Sequence, residues 1–498
     1  MTKTSGGERL RARRRLRRRS PDAGPHTSWP LALAALILLV LAIPAAMLVA
    51  PGFLGPEPPA PTPAPPAWQL APATLAAPQV LAPLQPSAPV PVPSAVTAQL
   101  EPVLKADGGG TFTGTVQDAL TGQVLFDRGG AEGRVPASNL KLLTAVAALR
   151  TLGPDRRFTT KVVRGPAAGQ VVLVGGGDVL LGAGESRPDE VMGHAGLATL
   201  AALTLQALQA SGTAGEIKVL VDDSLFAGPV LNPNWQSGDV EAGEIAPLYP
   251  LALNSARFDP AVTTGPRPQD SAMTAAEAFA GQLRAAGAGA GLTVTAGVER
   301  SPGAGLAGAA VLASVDSATV AEQVDLMLQV SDNYLAETMG RMTALATGRP
   351  GSNDGATAAV AAEVGAAGIP SDTVKLVDVC GLAMGNQVSA RQFTDVVRTI
   401  ATGADGRLRA ALDGFPVGGL SGTLDSRYGD ATTSGGAGLV RAKTGTLNTV
   451  LALSGYVVDG DGRLLVFSFI GNGLTPGAAG NKVALDRAAT ALAGCGCR

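Results

Sequence analysis

The sequence predicts an α/β protein of the α+β kind with an N-terminal transmembrane helix. Three observations predict it. Alternating apolar segments cluster near the C-terminus, helical periods dominate the middle, and one uncharged apolar span follows a basic block.

Residues 1–30 carry nine basic residues (Lys3 and eight Arg) against Glu8 and Asp22. The segment 31–50, Leu31 to Ala50, is about 20 residues long and uncharged, enough to span a bilayer. Arginine on its N-terminal side places that side in the cytoplasm. The span reads as a retained membrane anchor, with a cleaved signal peptide as the alternative. Either reading sends the body out of the cytoplasm. The rest of the chain holds 29 basic and 38 acidic residues. A body this acidic argues against nucleic acid as a partner.

Proline recurs from Pro51 to Pro93, so 51–98 reads as an extended spacer. The folded part is expected from about Gln99. "TFTGTVQDALTGQVLFDRG" reads as two strands around Thr121-Gly122. Pro136 precedes a helix expected from Ser138 to Leu152, stopped by Gly153-Pro154. Residues 160–310 mix short strands with Ala-rich helical stretches. Helical patterns fill 316–347 and 353–368. "LVRAKTGTL", "TVLALSGYVVD" and "RLLVFSFIGN" then alternate as strands, with a hairpin turn at 459–462 and a last helix from Asn481 to Ala493.

The chemistry is bounded by what is scarce. There are two histidines, and His26 lies in the basic segment, so any Ser-His-Asp site would rest on His194 alone. His194 has no evident acidic partner and reads as structural. Paired histidine ligands for zinc are lacking. Cys380, Cys495 and Cys497 are too few for a disulfide framework or a zinc site. Their pairing is open between one bridge and an unpaired, buried Cys380. The Gly175–Asp178 run lacks a following Gly-Lys-Ser/Thr and is no phosphate loop. No metal or organic cofactor is expected.

Serine can be activated without histidine if another base lies within reach. One of the chain's eight lysines, Lys141, stands three residues after Ser138 in "VPASNLKLLTAVAAL". On a helix, positions i and i+3 share a face. Burial there disfavours the ammonium, and a neutral amine can take the serine proton. Two further elements follow in order. "SDN" (Ser331 to Asn333) falls within the helical 316–347 pattern, and "KTG" (Lys443 to Gly445) falls on the first C-terminal strand. The ordered trio Ser-x-x-Lys, Ser-x-Asn, Lys-Thr-Gly is the signature of penicillin-interacting acyl-transfer enzymes.

With these motifs, residues 99–493 resemble the low-molecular-mass penicillin-binding proteins that are D-alanyl-D-alanine carboxypeptidases and endopeptidases with a large insert. The 193-residue separation of Ser138 and Ser331 matches that subgroup's inserted domains. "GGGDVLLG", "NPNW", "APLYPLALN" and "GTLDSR" match as well. The resemblance implies a transpeptidase/β-lactamase-like domain from 99–165 and 312–498, an antiparallel sheet flanked by helices, with an inserted domain at 166–311. It makes Ser138 the acylated nucleophile and Lys141 its base. Ser331 relays a proton to the leaving D-alanine, Asn333 binds the substrate amide, and Lys443 keeps the site positive. Thr444 and Thr446, with Gly445 between them, grip the terminal carboxylate, and the N–H groups of Ser138 and Thr446 form the oxyanion hole. The implied partners are peptidoglycan stem peptides and inhibitory β-lactams. Departures are "DVCGLA" (Asp378 to Ala383) where relatives have D-G-S-G-L-S, Ser421 where Asp is frequent, and Val179 for a usual proline. Two rivals remain. A β-lactamase of class A would need a deacylating glutamate, for which Glu363 has the spacing but Ala367 is not the required Asn. A non-catalytic wall-binding protein would be expected to have damaged motifs.

Overall fold

A computed structural model describes residues 87–301, 306 and 308–498. The basic segment, the transmembrane span and most of the proline-rich tract lie outside the described residues. No described helix is long and apolar enough to cross a membrane.

Eleven strands are described: β1 Gly109–Asp118, β2 Val124–Arg128, β3 Thr159–Arg164, β4 Gln170–Val174, β5 Gly215–Asp222, β6 Leu292–Val294, β7 Glu299–Arg300, β8 Val311–Asp316, β9 Arg441–Leu447, β10 Val450–Val458 and β11 Leu464–Thr475. They form two sheets. The first is antiparallel in the order β2-β1-β11-β10-β9. Its strands alternate by two, so each face buries its own set. Ala452, Val466 and Ile470 face a core shared with the helices Lys141–Leu152 and Ala390–Thr402. Leu451, Leu453, Phe467 and Phe469 face the opposite core, covered by the helix Lys482–Ala493.

The second sheet runs β6-β5-β4-β3-β8, with β7 also on β5. Its β4-β5 and β5-β6 pairs are parallel, while β3 is antiparallel to both neighbours. β3 and β8 pair from Thr159↔Asp316, so the strand entering this segment hydrogen-bonds the strand leaving it. That pairing puts β3 in the second sheet rather than with the catalytic stretch 99–165 expected from the sequence. The helices Leu197–Ala210 and Ser271–Gly287 pack on this sheet around Leu173, Val219, Val221 and Phe279.

Three local expectations are corrected. The spacer does not run to 98: Pro93–Leu100 is a helix with proline in its first turn, where a missing N–H costs nothing. Its Val96 and Leu100 are buried in the sheet's outer core, and Val92 N–H donates to Cys497 O at 2.7 Å. Next, the 316–347 pattern is two helices, Val320–Gln329 and Asn333–Ala346, broken at Ser331 with φ 59°. Finally, Ser138 lies in a 3-10 turn, Ala137–Leu140, that precedes the Lys141–Leu152 helix. Cys495 and Cys497 are disulfide-linked, and Cys380 is free and buried.

Burying Val96 and Leu100 is worth about 1.5–3 kcal/mol each. A chain beginning at 87 should therefore unfold several degrees above one beginning at 101. Calorimetry checks this; equal midpoints would mean the Pro93–Leu100 helix contributes nothing.

Candidate active site

All the sequence-predicted site residues except the exposed Thr446 are buried or half-buried, and most line one cleft of about 1050 Å³. Ser138, Ser331, Asn333, Thr444 and Thr446 line it directly. Lys141 and Lys443 sit beneath its floor, fully buried.

Ser138 is fixed by its neighbours. Ala137 is held at φ 48°, a left-handed conformation that costs about 1–2 kcal/mol outside glycine. Asn139 is buried and donates to Ser454 Oγ at 2.6 Å, which donates in turn to Ser468 Oγ at 2.8 Å. The turn is thereby tied to β10 and β11. Two glycines let backbone approach it. A Cβ on Gly445 would lie 2.9 Å from Pro136 O and 3.1 Å from Ser138 N. A Cβ on Gly381, which has φ 87°, would lie 2.0 Å from Ala137 O.

Lys141 Nζ has three polar neighbours from three elements: Ser138 Oγ at 3.0 Å, Asn333 Oδ1 at 2.6 Å and Cys380 O at 2.7 Å. None is a carboxylate. Burial lowers the Lys141 pKa, against an opposing pull from Cys380, Asp378, Asp332 and Glu337. Lys443 Nζ donates to Ser331 Oγ and Thr444 O, each at 2.9 Å. Burial and the nearby Lys141 push its pKa well below that of a free lysine. Thr444 Oγ1 lies 2.7 Å from Thr423 Oγ1, in the "GTL" stretch next to Ser421. Asn333 is engaged at both ends, since its Nδ2 donates to Glu244 O at 3.0 Å.

The Ser331 loop is held from outside the catalytic motifs. Asp332 caps the Asn333–Ala346 helix by accepting from Leu335 N–H. It also accepts from Ser255 Oγ at 2.8 Å and from Arg257 Nη1 at 2.9 Å. Ser255 belongs to a left-handed run, Asn254 to Ala256, with φ near 55° throughout. Burial alone would raise the Asp332 pKa, but Arg257, the Leu335 N–H, Arg267 and Ser255 hold it below the ordinary range. Sequence reading missed Ser255, Arg257 and the Cys380 carbonyl. The "APLYPLALN" stretch that ends at Asn254 was the signal nearest to them.

Asp378 organises the loop that supplies the Cys380 carbonyl. Its carboxylate accepts from Gly381 N–H, Ala383 N–H, Asn386 Nδ2 and Trp235 Nε1, all within 3.0 Å. Glu337, Asp378 and Cys380 bring their side-chain atoms within 4.8 Å of one another. With the oxygens of Asp378 committed to N–H donors, this trio is a poor fit for a cation. His194 is not in the cleft; Arg157 donates to its Nε2 at 2.7 Å. Glu363 pairs with Arg150, about 13 Å along the helix from Lys141, so it does not sit at the serine.

Removing Arg257 would leave Asp332 buried beside a neutral Ser255. Losing one partner of such a pair costs about 3–5 kcal/mol. Arg257→Met should lower the unfolding free energy by that order and slow acylation of the folded fraction. Denaturant melts and penicillin-acylation rates test both effects, and parental values for both would show the clamp to be idle.

Comparison with known proteins identifies the family. The model of the D-Ala-D-Ala carboxypeptidase 3 (S13) family matches residues 96–268 and 262–492. "Carboxypeptidase DacB" of Mycolicibacterium smegmatis is 36% identical over 469 residues, covering 93% of this chain and 96% of the relative. "Carboxypeptidase Rv3627c" of Mycobacterium tuberculosis is 36% identical, covering 88% of this chain and 90% of its own. Among solved structures, penicillin binding protein 4 of Haemophilus influenzae shares the fold, with a TM-score of 0.61 at 21% identity over 80% of this chain and 97% of that one. With its motifs gathered around one cleft and its relatives matched over nearly their whole length, the chain belongs to the D-Ala-D-Ala carboxypeptidase 3 (S13) family of serine carboxypeptidases.

Proposed function

We propose that this D-Ala-D-Ala carboxypeptidase works through a Ser138 acyl-enzyme, with Lys141 as the base. One observation carries the assignment of the base: a fully buried amine 3.0 Å from Ser138 Oγ with no carboxylate among its hydrogen-bond partners.

The substrate is the D-Ala-D-Ala end of a peptidoglycan stem peptide. Ser138 Oγ bonds to the carbonyl carbon of the penultimate D-alanine while Lys141 Nζ takes the hydroxyl proton. The N–H groups of Ser138 and Thr446 receive the developing oxyanion. The carbon–nitrogen bond then breaks, and a proton passed through Ser331, held by Lys443, leaves with the terminal D-alanine. Water cleaves the ester and frees Ser138. Asn333 keeps one amide N–H for the substrate backbone. Thr444 and Thr446 meet the terminal carboxylate, with Gly445 keeping the strand close to Ser138. Endopeptidase action on cross-links follows the same steps with a longer leaving group. β-Lactams acylate the same serine by ring opening. No metal or organic cofactor takes part. The segment 31–50 anchors the chain in the membrane with the catalytic part outside the cytoplasm.

Ser138→Ala should abolish covalent labelling by a fluorescent penicillin while circular dichroism stays unchanged. Undiminished labelling of that variant would reject Ser138 as the nucleophile.

Lys141→Arg should be nearly as slow as Lys141→Ala, because an arginine keeps its proton at any usable pH. The loss should be about 10²–10⁴-fold in acylation rate. In the parent the rate should rise with pH as the amine loses its proton. Since burial lowers the Lys141 pKa, that rise should lie below the range of a free lysine. Pre-steady-state acylation across pH measures all three, and an arginine variant within a few-fold of the parent would move the base role elsewhere.

A further inference from the structure

Behind Lys141 lies a carboxyl group that the mechanism does not use. Glu337 stands one turn after Asn333 on the same helix and is fully buried. Its Oε1 accepts from Val379 N–H at 2.8 Å and from Cys380 N–H at 2.9 Å. The carbonyl of that same Cys380 accepts from Lys141 Nζ at 2.7 Å. One short backbone stretch is therefore pinned on one side by Glu337 and on the other by the amine.

We propose that Glu337 is a positioning residue for acylation: its carboxyl clamps the 379–380 backbone so that the Cys380 carbonyl holds Lys141 Nζ against Ser138, and its charge sets how readily that amine gives up its proton. The proposal rests on Lys141 being the base.

The geometry makes the two groups interdependent. A lysine amine has four rotatable carbons, so its aim depends on its acceptors. Two of the three, Asn333 Oδ1 and Cys380 O, hang on the helix that carries Glu337 and on the loop it grips. Losing the clamp leaves two buried N–H groups without an acceptor and removes the restraint at 379–380 that Asp378, which holds Gly381 and Ala383, does not supply. The charge acts in the opposite direction to the clamp. Facing Glu337 are Arg341 on its own helix, Asp378 and Cys380 on the loop, and Lys141. Burial first, and then Asp378, push the Glu337 pKa up to about 7, against the Val379 N–H and Arg341. The ionised carboxylate favours the Lys141 ammonium, and the neutral acid releases it. A proton held on Glu337 thus leaves more of Lys141 as the neutral amine at a given pH.

Glu337→Gln keeps an oxygen for the two N–H groups and removes the charge. Its acylation rate should therefore reach the parental plateau, with the rising limb moved to lower pH by about one unit, roughly tenfold faster on that limb. Glu337→Ala removes the clamp too, and its plateau should fall by about tenfold or more. A merely structural Glu337 predicts an unmoved limb in both variants, which would overturn the proposal. If Glu337→Gln does not fold, the parent labelled with [13C]glutamate decides. One carboxyl signal should titrate well above the others and shift when penicillin acylates Ser138; no responding signal overturns the proposal. Lys141→Ala, run alongside, separates the two failures. If it acylates normally, the base assignment has failed; if it is inactive while the Glu337→Gln limb stays put, only the role of Glu337 has failed.

Discussion

The site depends on one costly placement, a lysine amine buried with no counter-ion in hydrogen-bonding reach. Taking an ammonium out of water costs several kcal/mol even after relaxation. Lys141 meets three polar neighbours instead of a carboxylate. An ammonium donates three hydrogen bonds, whereas an amine donates two and accepts one. Asn333 Oδ1 and Cys380 O only accept, but the Ser138 hydroxyl can turn either way. The proton can therefore move between Ser138 and Lys141 while the other two bonds stay in place. A carboxylate partner would have fixed the ammonium and left no amine for the proposed base role.

The rest of the architecture delivers those neighbours. Ala137 and Ser331 take left-handed conformations, and Gly381 and Gly445 let backbone close on the Ser138 turn. Strain at such positions persists only where the surroundings over-determine it. Here they do: Asn139 is tied to two strands and Asp332 to Ser255 and Arg257. Lys443 is a second buried amine, whose charged form burial and the nearby Lys141 disfavour. On the proposed roles, the substrate's terminal carboxylate supplies the negative charge that this pair of lysines lacks.

The sequence exposed some of this and hid the rest for physical reasons. Ser138, Lys141, Ser331, Asn333 and Lys443 could be picked out because each belongs to a short motif and the three motifs follow in order. The alternation of β10 and β11 and their turn were legible because a two-residue period reports a half-buried face directly. The Pro93–Leu100 helix was masked by proline-rich composition, although proline in a first turn is compatible with a helix. The break at Ser331 was masked because helical periods run on both sides of it. Glu337 reads as one more polar residue in a helix until its Val379 and Cys380 partners are known. A backbone acceptor such as Cys380 O leaves no trace in side-chain identity at all.

The Arg257–Asp332 contact links the second-sheet segment to the site. Arg257 and Ser255 lie between Ser138 and Ser331 in sequence, within the segment closed off by the β3–β8 pair. Arg257 is 75 residues from Asp332, yet its guanidinium is the charge that makes a fully buried carboxylate tolerable there. Without Asp332 the Asn333 helix loses its cap, and Asn333 Oδ1 loses its fixed position against Lys141. The second-sheet segment therefore reaches the proposed reacting atoms through Arg257, Asp332, Asn333 and Lys141.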